Sequence, residues 1–132
     1  MPKFEHRAEH EATQKEVWDW YNSKGAFRRI MPEWEGIKPI NAGKLIDGEE
    51  TIFKVSIGPI KKKWVARHHS VIPGEGFSDR MMKGPFGAWN HTHKFESLGD
   101  NLTKISDDVE YKLSLLHTQK LEFLRYSIWS IV

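Results

Sequence analysis

Residues 43 to 112 form a series of short segments, each ended by a turn signal, in which apolar and polar side chains alternate. Alternation of this kind is typical of strands that bury one face. The predicted strands are 43–47, 51–57, 61–71, 76–83, 87–97 and 102–112. The turn signals are Asp47-Gly48, Gly58-Pro59, Pro73-Gly74-Glu75-Gly76, Gly84-Pro85 and Gly99-Asp100-Asn101. Because turns this short join neighbouring strands, the segments predict an antiparallel meander.

The flanking sequence adds one strand and three helices. Residues 3–10 alternate between charged and less polar positions, which predicts a first strand. Thr13-Gln14-Lys15-Glu16 is a capping box that begins a helix, and residues 26–30 predict a second short helix. Leucine and isoleucine at helical spacing predict a C-terminal helix over residues 116–132. The order predicts an α+β fold of the helix-grip kind, a curved antiparallel sheet of about seven strands around a C-terminal helix.

Length and composition restrict the class of protein. The 132 residues are the size of one domain, which we take as residues 1–132. Hydrophobic residues make up 39% and charged residues 29%, as in a folded globular domain. No run approaches the ~20 apolar residues of a membrane span, so stable membrane insertion is not expected. A net charge of +2 is too small to predict nucleic-acid binding.

Two further features bear on location and chemistry. The chain has no cysteine, which excludes disulfides, thiolate metal sites and a cysteine nucleophile. The N-terminal residues Met-Pro-Lys-Phe-Glu-His do not have the apolar core of a signal peptide, so a cytoplasmic location is expected.

The predicted strands place polar side chains on the buried face of the sheet. In the strand 87–97, one face carries aromatic and histidine side chains, whereas the other is polar and must face solvent. The same rule gives the neighbouring strands an inward face of mixed character. Its apolar members are Trp64, Phe77, Met81, Trp89 and Phe95. Its polar members are His68, Asp79, His91, His93, Asp107 and Tyr111. Polar groups rarely lie inside a domain unless they are paired or serve a site, so these residues are the predicted ligand-binding set.

Three interpretations of the inward histidines are open. They can hydrogen-bond to the inward carboxylates and form a polar network. His91 and His93, two residues apart on one strand, can also reach one metal ion, with His68 and Asp79 completing the site. A histidine oriented by an inward carboxylate can instead act as a general acid or base, with Tyr111 stabilising an enolate oxygen. The polar network is the preferred interpretation, so no metal, cofactor or catalytic residue is assigned.

Several motifs together resemble a known superfamily. They are Gly25-Ala26-Phe27-x-Arg29-x-x-Pro32-x-Trp34, Ile57-Gly58-Pro59, Trp64-x-Ala66-x-His68, Phe77-x-Asp79-x-Met81-x-x-Gly84-Pro85-Phe86, Trp89-x-His91-x-His93-x-Phe95 and Asp107-x-Val109-x-Tyr111. This pattern, which spans about residues 3–113, is similar to a bacterial branch of the SRPBCC superfamily. That superfamily is the START-like, helix-grip group that includes polyketide cyclases and the birch-pollen allergen.

The resemblance implies a seven-stranded sheet wrapped around a C-terminal helix, with a hydrophobic cavity between them and two short helices at its mouth. It implies binding of a small hydrophobic or aromatic ligand, and a shared fold does not supply a reaction. The expected function is therefore ligand binding over a polar floor of histidine, aspartate and tyrosine. The alternative is a cyclase- or hydrolase-like enzyme that uses the same histidines. A homodimer is a further possibility, because a short last helix leaves apolar surface exposed.

Overall fold

The computed structural model describes residues 2–23, 37–41, 43–57 and 59–113. These residues form one helix and one antiparallel sheet. The elements are β1 (Lys3–His10), α1 (Gln14–Tyr21), β2 (Ile37–Asn41), β3 (Glu50–Ile57), β4 (Ile60–Ile72), β5 (Gly76–Lys83), β6 (Ala88–Gly99) and β7 (Leu102–Lys112). The α+β fold with a curved antiparallel sheet is confirmed. The predicted helices at 26–30 and 116–132 lie outside the described residues.

The seven strands are arranged in the order β1-β7-β6-β5-β4-β3-β2. Strands β2 to β7 follow one another as hairpins, and β1 pairs with the last strand, β7. Strands β4, β5, β6 and β7 form the middle of the sheet. This arrangement matters for the site, because inward residues of four consecutive strands then lie side by side.

The predicted strand 43–47 is wrong. These residues form bends and turns, and the strand that pairs with β3 is β2, earlier in the chain. Gly48 adopts a φ of 90°, which a strand does not contain, and its backbone N–H donates to the carbonyl of His68. The Asp47 carboxylate accepts a hydrogen bond from the backbone N–H of Val71. Turn chemistry therefore dominates here, and the apparent alternation around Leu45 reflects one buried leucine rather than a strand.

Helix α1 forms as the capping box predicts. The Thr13 hydroxyl accepts from the Glu16 backbone N–H at 3.1 Å, and the Glu16 carboxylate accepts from the Thr13 backbone N–H at 3.4 Å. The helix buries Val17 and Trp18 against the inner face of the sheet. Among the described residues, no helix is long and apolar enough to cross a membrane.

The buried apolar residues form two clusters on the inner face. We call the first the α1 cluster; it consists of Val17, Trp18, Leu45, Phe77, Phe95 and Ile105. We call the second the Trp64 cluster; it consists of Phe53, Val55, Trp64, Ala66, Phe86, Trp89 and Val109. Burial of these large side chains supplies the main driving force for folding of the sheet and α1. The two clusters are separated by polar side chains, and that separation defines the candidate site.

Candidate functional site

Five polar side chains form a row across the inner face of the sheet, and we call this row the His/Asp belt. It consists of His68 on β4, Asp79 on β5, His91 and His93 on β6, and Asp107 on β7. The strand register brings them together, since His68 pairs with Asp79, Asp79 with His91, and His93 with Asp107. The belt lies between the two apolar clusters: along β6 the inward order is Trp89, His91, His93 and Phe95.

Asp107 joins both histidines of β6. Its Oδ1 accepts a hydrogen bond from His91 Nε2 at 2.9 Å, and His93 Nδ1 also lies 2.9 Å from the same oxygen. The Nδ1 contact does not have hydrogen-bond geometry, and this buried nitrogen has no hydrogen-bond partner. The imidazole rings of His91 and His93 stack with their centroids 3.8 Å apart. Asp107 is only 2% exposed, so its charge is compensated by these histidines rather than by water.

Asp79 lies between His93 and His68. Its Oδ2 accepts a hydrogen bond from His93 Nε2 at 3.3 Å. Its Oδ1 is 3.1 Å from His68 Nε2, but this contact does not meet hydrogen-bond geometry and leaves Oδ1 buried without a partner. The Asp79 side chain is 21% exposed, whereas the Asp107 side chain is only 3% exposed. Asp79 is therefore the carboxylate of the belt that a ligand can approach most readily.

His68 is held by groups outside the predicted set. Its Nδ1–H donates to the backbone carbonyl of Lys44 at 2.6 Å, and its Nε2 lies 3.3 Å from the hydroxyl of Thr51. The alternation of β3 places Thr51 on the same face as Phe53 and Val55, so the period-two rule could have found it. The Lys44 carbonyl belongs to the turn segment after β2, and no sequence signal indicates a backbone acceptor.

The charges of the belt follow from its geometry. Burial alone lowers the pKa of His93, but its contacts with Asp107 and Asp79 outweigh burial and raise this pKa to about 9. Burial alone raises the pKa of both carboxyls, but His93 and His91 hold the pKa of each below its usual value. Burial and the charge on His93 lower the pKa of His91. At neutral pH the belt thus contains a charged His93 between two carboxylates, beside a neutral His91.

Tyr21 is a neighbour of the belt that the sequence reasoning missed. Its ring, on the last turn of α1, lies 4.9 Å from the Phe95 ring and 5.9 Å from the His93 ring, measured between centroids. Burial and the charge on Asp107 raise the pKa of Tyr21 to about 12, so it remains a neutral phenol. Tyr21 follows Val17 and Trp18 at helical spacing, but only the packing of α1 on the sheet brings it to His93.

The remaining predicted residues divide between the two clusters. Phe77 and Phe95 lie beneath α1, where both contact Trp18 and Tyr21. Trp64, Met81, Trp89 and Tyr111 belong to or pack against the Trp64 cluster. Tyr111 pairs with Trp89 on β6, and its ring contacts Phe86 and Trp89. Its role in the polar floor stays a prediction.

Part of the belt also has the donor set of a metal site. His91, His93 and Asp107 are all buried, and each offers one ligand atom within 4.8 Å of the other two. The predicted alternative set included His68 and Asp79, which the structure places on the other side of His93 from Asp107.

Comparison with known proteins identifies the family. A family described as polyketide cyclase / dehydrase and lipid transport matches residues 10–125. The chain belongs to this family. This family assignment confirms the resemblance to the SRPBCC superfamily. None of the curated proteins matches the chain.

Solved structures support the same fold. A nucleoside-diphosphate sugar epimerase from Corynebacterium glutamicum is 28% identical, with a TM-score of 0.73; the match covers 97% of this chain and 28% of that one. The chain thus corresponds to only a part of the epimerase's length. The ZhuI aromatase/cyclase from Streptomyces sp. R1128 is 15% identical, with a TM-score of 0.69, and the match covers 98% of this chain and 86% of that one. A START superfamily protein from Mycobacterium smegmatis is 13% identical, with a TM-score of 0.65 and coverage of 96% and 93%. At these lower identities the likeness shows the fold alone.

Proposed function

We propose that this domain binds a small hydrophobic or aromatic molecule in a cavity on the inner face of its sheet, with the His/Asp belt as the polar floor. The family covers polyketide cyclases, dehydrases and lipid transport, all of which handle hydrophobic molecules. The observation that carries the proposal is the position of the belt, a row of charged and polar groups between two aromatic clusters.

The belt is unfavourable for stability alone. Removing two carboxylates and an imidazolium from water carries a desolvation penalty, and apolar side chains of similar volume often give equal or greater stability. Two buried atoms of the belt, Asp79 Oδ1 and His93 Nδ1, have no hydrogen-bond partner. Each such group costs about 1–3 kcal/mol, so a ligand that satisfies one of them gains that amount over a ligand that does not. The belt therefore favours ligands that carry a polar group at one end.

The apolar part of the ligand is expected against the Trp64 cluster. Phe77 and Phe95 are covered by Trp18 and Tyr21 of α1, so they contribute to the core beneath the helix. At the other end of the inner face, Met81 and Tyr111 are only partly buried. We infer that a ligand lies along Trp64 and Trp89 and directs its polar group toward Asp79.

A pair of matched probes tests this proposal. Naphthalene and 2-naphthol have the same ring system, but only 2-naphthol has a hydroxyl that can donate to Asp79 Oδ1. Titrations followed by tryptophan fluorescence should show 2-naphthol binding about tenfold tighter or more, from the hydrogen-bond energy alone. In Asp79→Ala the preference should fall to near equality while naphthalene still binds. Asp108→Ala, on the outer face of β7, is the control and should retain the preference.

The possible results of these titrations test the polar floor and the ligand-binding function separately. Retained naphthalene binding in Asp79→Ala shows that the variant folds and keeps its apolar surface. Equal binding of the two probes by the unmodified protein contradicts the polar floor. No binding of either probe at their solubility limits contradicts the ligand-binding function.

A second function is favoured by the hydrogen bond between His91 and Asp107. A buried carboxylate that accepts from one imidazole nitrogen orients the ring as a general base would require, so a cyclase- or hydrolase-like reaction is a candidate. Turnover of an aryl ester or a β-diketone by the purified protein would test it. His91→Gln should abolish such turnover while leaving 2-naphthol binding in place. No turnover by the unmodified protein rejects the enzyme and leaves ligand binding untouched.

The cytoplasmic location and the homodimer stay predictions. Sedimentation equilibrium of the purified protein tests the dimer directly. A mass that corresponds to a single chain of 15.4 kDa would contradict it.

A further inference from the structure

We propose that His91 Nε2, His93 Nδ1 and Asp107 Oδ1 form a site for a divalent transition-metal ion, with Zn²⁺ as the best match. Each of the three residues offers one ligand atom within 4.8 Å of those of the other two, and all three residues are buried. Two imidazoles and one carboxylate are a donor set that Zn²⁺ and Fe²⁺ bind well. The metal site does not rest on the proposed function, although both use residues of the His/Asp belt.

The distances fit an ion after a small adjustment. Metal–ligand bonds of about 2.0–2.1 Å at tetrahedral angles place two ligand atoms roughly 3.3 Å apart. Asp107 Oδ1 now lies 2.9 Å from His91 Nε2 and 2.9 Å from His93 Nδ1. Metal binding requires these two separations to widen by about half an ångström. It also requires the stacked rings of His91 and His93 to turn until the lone pairs of Nε2 and Nδ1 point at one ion.

His93 Nδ1 is the independent sign that a partner is missing. His93 is only 7% exposed, and Nδ1 is buried without a hydrogen bond, although a carboxylate oxygen lies 2.9 Å away. A buried ring nitrogen without a hydrogen bond is available as a metal ligand. An ion coordinated by Nδ1 satisfies it.

The other nitrogen of His93 has the partner that a metal-ligating histidine requires. Its Nε2 hydrogen-bonds to Asp79 Oδ2 at 3.3 Å. An outer carboxylate that accepts the proton of one ring nitrogen fixes the tautomer in which the other nitrogen binds the metal. Asp79 is therefore a positioning residue for His93 in this site, and it does not ligate the ion.

The local charge also favours a cation. The groups that face the site are the carboxylates of Asp79 and Asp107, the imidazoles of His68, His91 and His93, and the neutral phenol of Tyr21. A divalent ion brings two positive charges, which match the carboxylates of Asp79 and Asp107. Three protein ligands leave a fourth position for water or for an oxygen of a bound ligand.

The experiment uses the tag-free protein of 132 residues after removal of metal by a chelator. Isothermal titration with ZnCl₂ and native mass spectrometry should show one Zn²⁺ per chain. Co²⁺ should give the visible absorption of a four-coordinate site with nitrogen and oxygen ligands. Asp107→Asn and His91→Gln should weaken Zn²⁺ binding at least 100-fold. Asp79→Asn should weaken it by about 10- to 100-fold, as is usual for outer partners of metal ligands.

Two controls keep the result interpretable. His69→Gln changes the outward-facing neighbour of His68 and should bind one Zn²⁺ with unchanged affinity. Thermal unfolding of each variant shows whether it folds. If His91→Gln or Asp107→Asn does not fold, the partial loss of Zn²⁺ affinity in Asp79→Asn still tests the site. No Zn²⁺ binding at micromolar concentration, or binding by His91→Gln and Asp107→Asn equal to that of the unmodified protein, overturns the site. Such a failure, with 2-naphthol still bound by the metal-free protein, leaves the proposed ligand-binding function standing.

Discussion

His91 and His93 stack their imidazole rings at a centroid separation of 3.8 Å and share one oxygen of Asp107. Two stacked imidazoles so close together do not both carry a charge, and the charge on His93 lowers the pKa of His91. Adjacent inward positions on one strand thus take different roles. His93 contacts two carboxylates and hydrogen-bonds to that of Asp79, whereas His91 hydrogen-bonds to Asp107 and stays neutral.

Asp107→Asn should destabilise the fold strongly. The change removes the carboxylate that compensates the charge of His93, and breaking a buried charge pair costs about 3–5 kcal/mol. Chemical denaturation should show a loss of that order in the free energy of unfolding. Asp108→Asn is the matched control, because Asp108 pairs with Arg7 at the partly exposed outer face and its loss should cost less than about 1 kcal/mol. Equal losses in the two variants would contradict the central role of Asp107.

Phe77→Ala should destabilise the protein by about 3–5 kcal/mol, as is usual for a buried phenylalanine. The Phe77 ring stacks on His93 at 4.3 Å and meets the rings of Trp18 and Tyr21, so its loss leaves a cavity between α1 and the sheet. Thermal or denaturant unfolding measures the change. Met82→Ala serves as the control because Met82 is 47% exposed, and it should change stability by less than about 0.5 kcal/mol. A small effect of Phe77→Ala would show that α1 does not depend on this contact.

Gly76→Ala should be among the most damaging single substitutions in the sheet. A Cβ at this position would lie 2.2 Å from the backbone carbonyl oxygen of His93, and the glycine has a φ of 155°. The β5–β6 pair must then separate, which displaces the His/Asp belt, so a loss of about 3 kcal/mol or more is expected. Gly99→Ala meets no atom within 4 Å and should be nearly neutral. Circular dichroism and thermal unfolding of the two variants would distinguish them, and a stable Gly76→Ala would contradict the close approach.

Thr51→Val should cost about 1–3 kcal/mol, because it removes the hydroxyl that contacts His68 Nε2 and that accepts from the Gly43 backbone N–H. Valine has nearly the same shape as threonine, so the packing of this side chain beside Phe53 on β3 should be unchanged. A double-mutant cycle with His68→Phe provides the test, since removing both partners should cost less than the sum of the single changes. Additive losses would show that the two side chains do not interact.

Local sequence patterns predicted the features that depend on residues close together in the chain. The capping box marked the start of α1, and alternation assigned His68, His91, His93 and Asp107 to the buried face. The same reasoning failed where turn chemistry competes with alternation. Residues 43–47 alternate like a strand, but the glycines and Asp47 favour a turn that packs one leucine inward.

The sequence by itself determined which side chains lie on the inner face, because the period of a strand is a local property of the backbone. It did not determine which of those side chains meet. The contact between His93 and Asp107 depends on the β6–β7 register, and the contact between His93 and Tyr21 depends on how α1 packs across the sheet. The register also pairs Tyr111 with Trp89, which the alternation within either strand does not indicate. Charge and hydrogen bonding in the belt act over a few ångströms, so only the tertiary structure decided which groups are charged, paired or available to a ligand.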